Sequence, residues 1–299
     1  MSHPLDNIAL LPHVFNMDYD VIIAGGGLTG ITLALALHRT GIRAAIIDKN
    51  TPLVAPNNIF DGRSYAIAAA SQKMLNVLGL WDDLAKNAQP MVEIKVSDGY
   101  AGEVPSPFVM QFDQQDFTEG PMGYMVEDRN LRRVLQGVLK DSKVTFKSNT
   151  EVLSQTVKPT QVAVELTSGA TITAAVLVGA DGRTSNTAKT AGLTRSGWDY
   201  GQSSLVCAIA HEKPHNGIAH QYFMPSGPLA ILPLTGNRSG IVWTEKTETA
   251  HQIHALDKAD YLDILRPRFG TFLGNISLAG ERYIYPLSLS TTHSMISQR

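Results

Sequence analysis

Apolar and polar positions follow several distinct rhythms along the chain. Tyr19–Ala24 (YDVIIA) is a short apolar run rich in β-branched residues, the pattern of a strand buried on both faces. GGGLTG follows, after which Ile31–Thr40 reads as a helix closed by Gly41, where a left-handed cap favours glycine. Arg43–Asp48 (RAAIID) is a second buried strand. Strand, tight turn, helix and strand within about 30 residues form a βαβ unit, which requires a parallel sheet and a right-handed crossover. Ser71–Leu78 reads as a helix stopping at Gly79. Asn130–Lys140 reads as another, with Leu131, Val134, Leu135, Val138 and Leu139 on one stripe.

Further on, Val144–Phe146, Glu151–Gln155 and Val162–Leu166 alternate or run apolar, with a turn at Ser168–Gly169. Ile172–Val178 is another buried strand and leads into GADGRTS. From Leu205 the texture changes. Leu205–Ala210, Ala219–Phe223, Leu229–Leu234 and Gly240–Thr244 are strand-like, separated by PHNG, PSGP and TGNR, which predicts an antiparallel meander. The expected fold class is α/β: a Rossmann-like nucleotide-binding domain with a mainly parallel sheet, followed by an antiparallel β-sheet domain.

Composition narrows the function. At 299 residues the chain has length for roughly two domains of about 150 residues. Hydrophobic residues make up 43% and charged residues 17%, enough for a packed core. With 25 basic against 27 acidic residues, binding nucleic acid through a basic surface is disfavoured. The single cysteine, Cys207, excludes an intrachain disulfide and a cysteine-rich metal site, and suits a reducing compartment. No Lys or Arg precedes Arg39, so residues 1–16 lack the basic start of a secretory signal and the arginines of a mitochondrial presequence. Val21–His38 is uncharged, but Gly25, Gly26, Gly27 and Gly30 break it as a spanning helix. The expectation is a soluble protein with membrane contact only at its surface.

The strongest chemical signal is Gly25-x-Gly27-x-x-Gly30 between strand and helix. Gly25 permits the tight turn, Gly27 lets backbone approach a pyrophosphate, and Gly30 allows close helix–strand packing, extended by Ala34. The helix amino terminus offers free N–H groups and a partial positive charge to phosphates. Asp48, ending the second strand, stands where an acid binds ribose hydroxyls and would repel a 2′-phosphate. The motif points to a dinucleotide and leaves FAD and NAD open. Asp181-Gly182 follows a buried strand, where ligands of α/β folds sit, although an ordinary turn explains it as well. Asp61-Gly62-Arg63-Ser64 is either a turn with a solvated arginine or a phosphate-facing Arg63.

Other residues point to structure. His211–His215 reads HEKPH, formally the zinc-protease HExxH, but Pro214 and the preceding strand argue against a helix. His251 and His254 have no third ligand and are expected to face solvent. Cys207 is expected as a buried strand residue. Glu212 and Glu245 have no recognisable partner.

Four passages make the chain resemble the flavin-dependent aromatic hydroxylases of ubiquinone biosynthesis, relatives of para-hydroxybenzoate hydroxylase. They are DVIIAGGGLTGITLALAL, DGRSYAIAAASQKMLNVLGLW, LVGADGRTSNTAKTAGL, and YGQSSLVCAIAHEKPHNGIAHQYFMPSGPLAILPL with IVWTEK. The last is the most specific to the ubiquinone branch. The resemblance implies an FAD-binding domain over most of 17–195, with part of the substrate layer inserted around 90–125. It implies a β-sheet substrate domain over 196–299, and leaves 1–16 as an extension. It assigns FAD binding to Gly25, Gly27, Gly30 and Asp48, a place near FAD to Arg63, and flavin and nicotinamide coenzyme contacts to Asp181 and Gly182. Gly227–Leu234 would wall the aromatic substrate.

The implied reaction is hydroxylation of a polyprenylated phenol with O2 and NADH or NADPH. Such chemistry needs no catalytic side-chain nucleophile and no metal. The implied place is the cytoplasm, peripheral to the inner membrane, within reach of a ubiquinone-biosynthesis enzyme complex. Two departures stand out. The family pattern DGxxSxxR has Ala188 in place of its arginine, followed by Lys189. Its third motif, a strand ending in Gly-Asp, is expected after YPLSLS, and the sequence stops at Arg299 before it. The expectation is an amino-terminal portion of a hydroxylase that holds FAD weakly or not at all. A dehydrogenase or reductase on the same plan, or a non-catalytic remnant, are the alternatives.

Overall fold

The computed structural model describes residues 17–51, 60–103, 108–116 and 120–299, so the extension expected at 1–16 lies outside the described residues. The chain forms two compact units. The described parts of Met1–Pro52, Ser142–Thr194 and Ser294–Arg299 make the first, and those of Leu53–Asp141 and Arg195–His293 the second.

The chain opens the first unit with β1 (Tyr19–Ala24), α1 (Leu28–Arg39) and β2 (Ala44–Ile47). It then crosses to the second for β3 (Ser64–Ala68), α2 (Ala69–Val77), α3 (Trp81–Ala85), β4 (Ala88–Met91), β5 (Glu93–Asp98), β6 (Met110–Asp113), β7 (Gly123–Glu127) and α4 (Asp128–Asp141). It returns for β8 (Thr145–Lys147), β9 (Val152–Val157), β10 (Val162–Leu166), β11 (Thr171–Gly179) and α5 (Asn186–Thr190). The second unit is completed by β12 (Arg195–His211), β13 (Ile218–Met224), β14 (Gly227–Leu234) and β15 (Arg238–Lys246). After these come α6 (Thr247–Ala255), α7 (Lys258–Phe269), β16 (Ile276–Leu278) and β17 (Tyr283–Thr292).

In the first unit the sheet order is β8-β2-β1-β11-β10-β9. The pairs β8–β2, β2–β1 and β1–β11 are parallel, and β11–β10–β9 continue antiparallel. All four residues of β2 are buried, as a strand covered on both faces requires. Ile22 and Ile47 pack with Val162, Val164, Leu166, Ile172 and Ala174 in one core. Each such aliphatic side chain contributes about 1.5–3 kcal/mol by leaving water. α1 presses Gly30, Ile31, Ala34 and Leu35 against this layer. It starts at Leu28, earlier than the apolar run at Ile31 suggests, because extended Gly27 caps it and Gly30 is tolerated in its first turn. Gly41 ends it at φ 79°, in the left-handed region.

In the second unit the sheet order is β16-β12-β15-β14-β13-β5-β6, with β17 pairing along β12. Strands β12, β15, β14 and β13 are antiparallel neighbours, as the turn spacing predicts. Leu205, Cys207, Ile209, Leu229, Ile231 and Trp243 on one face meet Tyr261, Leu265 and Phe269 of α7. β12 runs much further than Leu205–Ala210. Its first half, Arg195–Gly201, is exposed, so no apolar alternation marks it, and ladder pairing with β17 holds it instead. A separate three-stranded sheet has the order β3-β7-β4. On α4 the stripe Leu131, Val134, Leu135 and Leu139 is buried, while Val138 is 38% exposed. Among the described residues, no helix is long and apolar enough to cross a membrane.

Candidate nucleotide-binding site

The carboxyl ends of β1 and β11 lie side by side, with Ala24 paired to Gly179 and the Ala180 N–H donating to the Ala24 carbonyl at 2.7 Å. The glycine corner sits at this edge, and each glycine is required for a different reason. A Cβ on Gly25 would lie 2.3 Å from the Ala180 carbonyl oxygen, and its φ of 109° disfavours any other residue. A Cβ on Gly30 would collide with the Gly25 carbonyl oxygen, which fixes how closely α1 approaches the turn. Around Gly27 a Cβ would meet nothing within 4 Å. Gly27 is therefore free of packing duty, and its lack of a side chain keeps open the space before the helix.

Asp48 is aimed at the same corner. Its Oδ2 accepts the Gly26 N–H at 2.5 Å, and its Oδ1 accepts the Asn50 N–H at 2.7 Å. The acid that the sequence pairs with ribose thus also holds the turn in shape. Gly26 is a requirement that motif spacing alone does not reveal. A Cβ there would lie 2.7 Å from the Phe146 ring and 3.1 Å from the Asp48 Cβ. The only signal in the sequence is the run of three consecutive glycines.

Asp181 and Gly182 reach this edge from β11. Asp181 Oδ2 accepts both the Thr187 N–H at 3.0 Å and the Thr187 hydroxyl at 2.9 Å. Burial pushes this carboxyl up, but hydrogen bonds from Ser185 and Thr187 outweigh it and hold the group below the usual carboxylate range. Its Oδ1 is buried with no donor. Gly182 takes φ 90°, with open space where a side chain would project. Ala188 and Lys189, in the place of the family arginine, lie in α5, whose amino terminus Ser185 caps through the Ala188 N–H at 3.0 Å.

Gly25, Gly27, Gly30, Asp48, Asp181 and Gly182 therefore gather in the first unit. Arg63 belongs to the second, and its partners are there. It donates to Asp61 Oδ2 through Nε at 2.9 Å and Nη2 at 2.7 Å, and Nη2 lies 3.3 Å from buried Asp128. These acids keep the guanidinium firmly charged, and the side chain is about one-third exposed. Asp128 also accepts from Tyr65 and Arg132, which makes it the hub of a half-buried ionic cluster.

The remaining chemical residues have structural partners. His211 ends β12, and its Nδ1 donates to the Lys213 carbonyl at 2.8 Å. His215 Nε2 donates to the Leu234 carbonyl at 2.7 Å, while its Nδ1 accepts the Gly217 N–H at 2.9 Å. HEKPH is thus a strand end and a turn rather than a helical face. Cys207 is buried, and desolvation pushes its thiol up to about 11. Two expectations change. Glu245 accepts from Trp243 Nε1 at 2.9 Å and Glu212 from Asn275 Nδ2 at 2.7 Å, so both acids have partners far away in sequence or buried in the sheet. His251 faces solvent as expected, whereas His254 is half-buried, with Nδ1 shielded.

An α/β sheet with a glycine corner and an acid at its carboxyl edge defines a dinucleotide-binding protein class. Comparison with known proteins narrows it. The FAD binding domain family matches residues 18–279. Ubiquinone hydroxylase UbiL of Rhodospirillum rubrum is 38% identical over 283 residues, covering 94% of this chain and 64% of that protein. The 3-demethoxyubiquinol 3-hydroxylase of Escherichia coli is 29% identical, covering 88% of this chain and 66% of that one. The chain thus spans just under two thirds of the length of these relatives. p-Nitrophenol 4-monooxygenase PnpA of Pseudomonas putida shares the fold, with a TM-score of 0.73 at 16% identity over 95% of this chain and 71% of that one. The chain belongs to the FAD binding domain family.

Proposed function

We propose that the protein acts as an FAD-dependent monooxygenase that hydroxylates the ring of a polyprenylated phenol in ubiquinone biosynthesis, using NADH or NADPH and O2. The observation that carries this reading is the 38% identity to a ubiquinone hydroxylase over 94% of the chain. The residues present also fit the cofactor. A Cβ on Gly27 would meet no atom within 4 Å, which leaves open the approach to the helix start, and the buried Asp181 Oδ1 lacks a donor that a nucleotide hydroxyl can provide.

In this reading the backbone at Gly25, Gly27 and Gly30 and the start of α1 receive the diphosphate through their N–H groups. Asp48 accepts from the adenosine ribose while keeping the Gly26 turn closed. Asp181 and Gly182 border the cofactor. FAD, when bound, would supply the redox chemistry that couples NAD(P)H oxidation to insertion of one atom of O2 into the ring, the other leaving as water. The protein binds, orients the ring and excludes water. An apolar prenylated substrate places the work at the inner membrane surface without spanning it, alongside other enzymes of the pathway.

The test is coenzyme oxidation with a prenylated phenol under labelled dioxygen. The reading expects flavin binding, substrate-dependent oxidation of NADH or NADPH, and one labelled oxygen in the product. Oxidation without label in the product would place the protein among dehydrogenases, and failure to bind flavin would overturn the reading altogether.

A further inference from the structure

The carboxylate of Asp181 is held asymmetrically. One residue, Thr187, supplies two donors to the same oxygen, its N–H at 3.0 Å and its hydroxyl at 2.9 Å, both to Oδ2. The other oxygen, Oδ1, is buried and receives nothing. Thr187 is itself fixed. It is buried at 5% exposure, and its carbonyl lies 3.5 Å from Gln155 Nε2 on β9. Its side chain packs over Gly179, where an added Cβ would lie 3.3 Å from the Thr187 Cβ. The carboxylate is therefore anchored by a neighbour locked between β9 and β11. Ser185 also hydrogen-bonds this carboxylate, so losing the Thr187 hydroxyl would remove one of its anchors and loosen its rotation about χ2 rather than free it.

We propose that Thr187 is a positioning residue, whose hydroxyl locks the Asp181 carboxylate so that Oδ1 is presented to a hydroxyl donor of the bound flavin nucleotide. The inference rests on the reading of Asp181 as an FAD-site residue and goes beyond it. A buried anionic oxygen without a donor carries a desolvation penalty that a ligand hydroxyl relieves. Locking the carboxylate beforehand spares the ligand the cost of ordering it. Valine matches threonine in shape and removes only the hydroxyl, while serine keeps the hydroxyl and removes the methyl.

The experiment titrates FAD into the protein and into Thr187→Val, Thr187→Ser and Asp181→Asn, following flavin fluorescence, with thermal unfolding of each apo form in parallel. Thr187→Val is expected to raise the FAD Kd about tenfold while the apo melting temperature stays close to that of the parent. Thr187→Ser should return Kd to within about twofold. Asp181→Asn should weaken binding at least as much as Thr187→Val. Unchanged affinity in Thr187→Val with weakened Asp181→Asn overturns the positioning role and leaves the site reading intact. Equal losses in Thr187→Val and Thr187→Ser assign the effect to packing and also overturn it. A parent protein that binds FAD with Asp181→Asn indistinguishable from it removes the reading of Asp181 on which the inference rests.

Discussion

Gly27 and Gly30 look alike in the motif, yet the structure gives substitution at each an opposite signature. In Gly30→Ala the new methyl would be placed against the Gly25 carbonyl oxygen, and reaching ordinary contact requires a shift of about 1.5 Å. Backbone lies on both sides of that contact, so no flexible side chain absorbs it. Overpacking of this kind costs about 1–3 kcal/mol or more. In Gly27→Ala the methyl meets no atom within 4 Å, and Gly27 already has an ordinary φ of −74°. Loss of unfolded-state freedom favours alanine by about 0.4–1 kcal/mol, while alanine is a poorer helix cap, so net stability should move by less than about 1 kcal/mol. The methyl nevertheless stands in the space assigned to the diphosphate, and a tenfold loss of FAD affinity corresponds to about 1.4 kcal/mol. Urea unfolding and FAD titration of both variants separate these effects. Gly27→Ala should unfold like the parent and bind FAD at least tenfold more weakly, whereas Gly30→Ala should unfold at clearly lower urea. A Gly27→Ala protein that binds FAD like the parent, or a Gly30→Ala protein equally stable, would refute the assignment of duties.

Asp48→Ala strips acceptors from the Gly26 and Asn50 amides, so it should lower stability by about 1–3 kcal/mol, read by urea unfolding, and Asp48→Asn should lose less. His220 is pushed down to about 4 by burial and by nearby Lys95, against the smaller opposing pull of Glu93. The unfolded chain then takes up this proton at higher pH than the folded one, so stability present above about pH 6.5 should be lost as pH falls toward 4, by up to about 3 kcal/mol. The melting-temperature difference between the parent and His220→Gln, followed from pH 7 to 4, should change accordingly, and parallel profiles would refute it. Cys207, with its thiol near 11, should resist aromatic disulfide reagents at pH 8 until the protein is unfolded, and rapid labelling of the folded form would contradict its burial.

Elements with strong burial periodicity were legible in the sequence. The pairing of β1, α1 and β2, the run of β10 and the four-strand meander all follow from alternation punctuated by glycine and proline turns. Elements held mainly by ladder hydrogen bonds were not. β17 alternates Leu287 and Leu289 with exposed serines and carries Pro286, so its composition resembles a loop, and pairing with β12 makes it a strand. The same holds for β5, which joins β13 in parallel across a long stretch of sequence. At the site, the spacing of glycines and acid was readable because it follows from the geometry of one turn. The Thr187 hydroxyl, the Phe146 ring against Gly26 and the partner of Glu212 were not, since each depends on residues brought close only by folding.

The doubled duty of Asp48 limits how the protein can be re-engineered. Exchanging this acid for a basic side chain would release the turn amide that it secures. The shape of the loop hangs on this one carboxylate, so any redesign at position 48 demands a second substitution that rebuilds the turn.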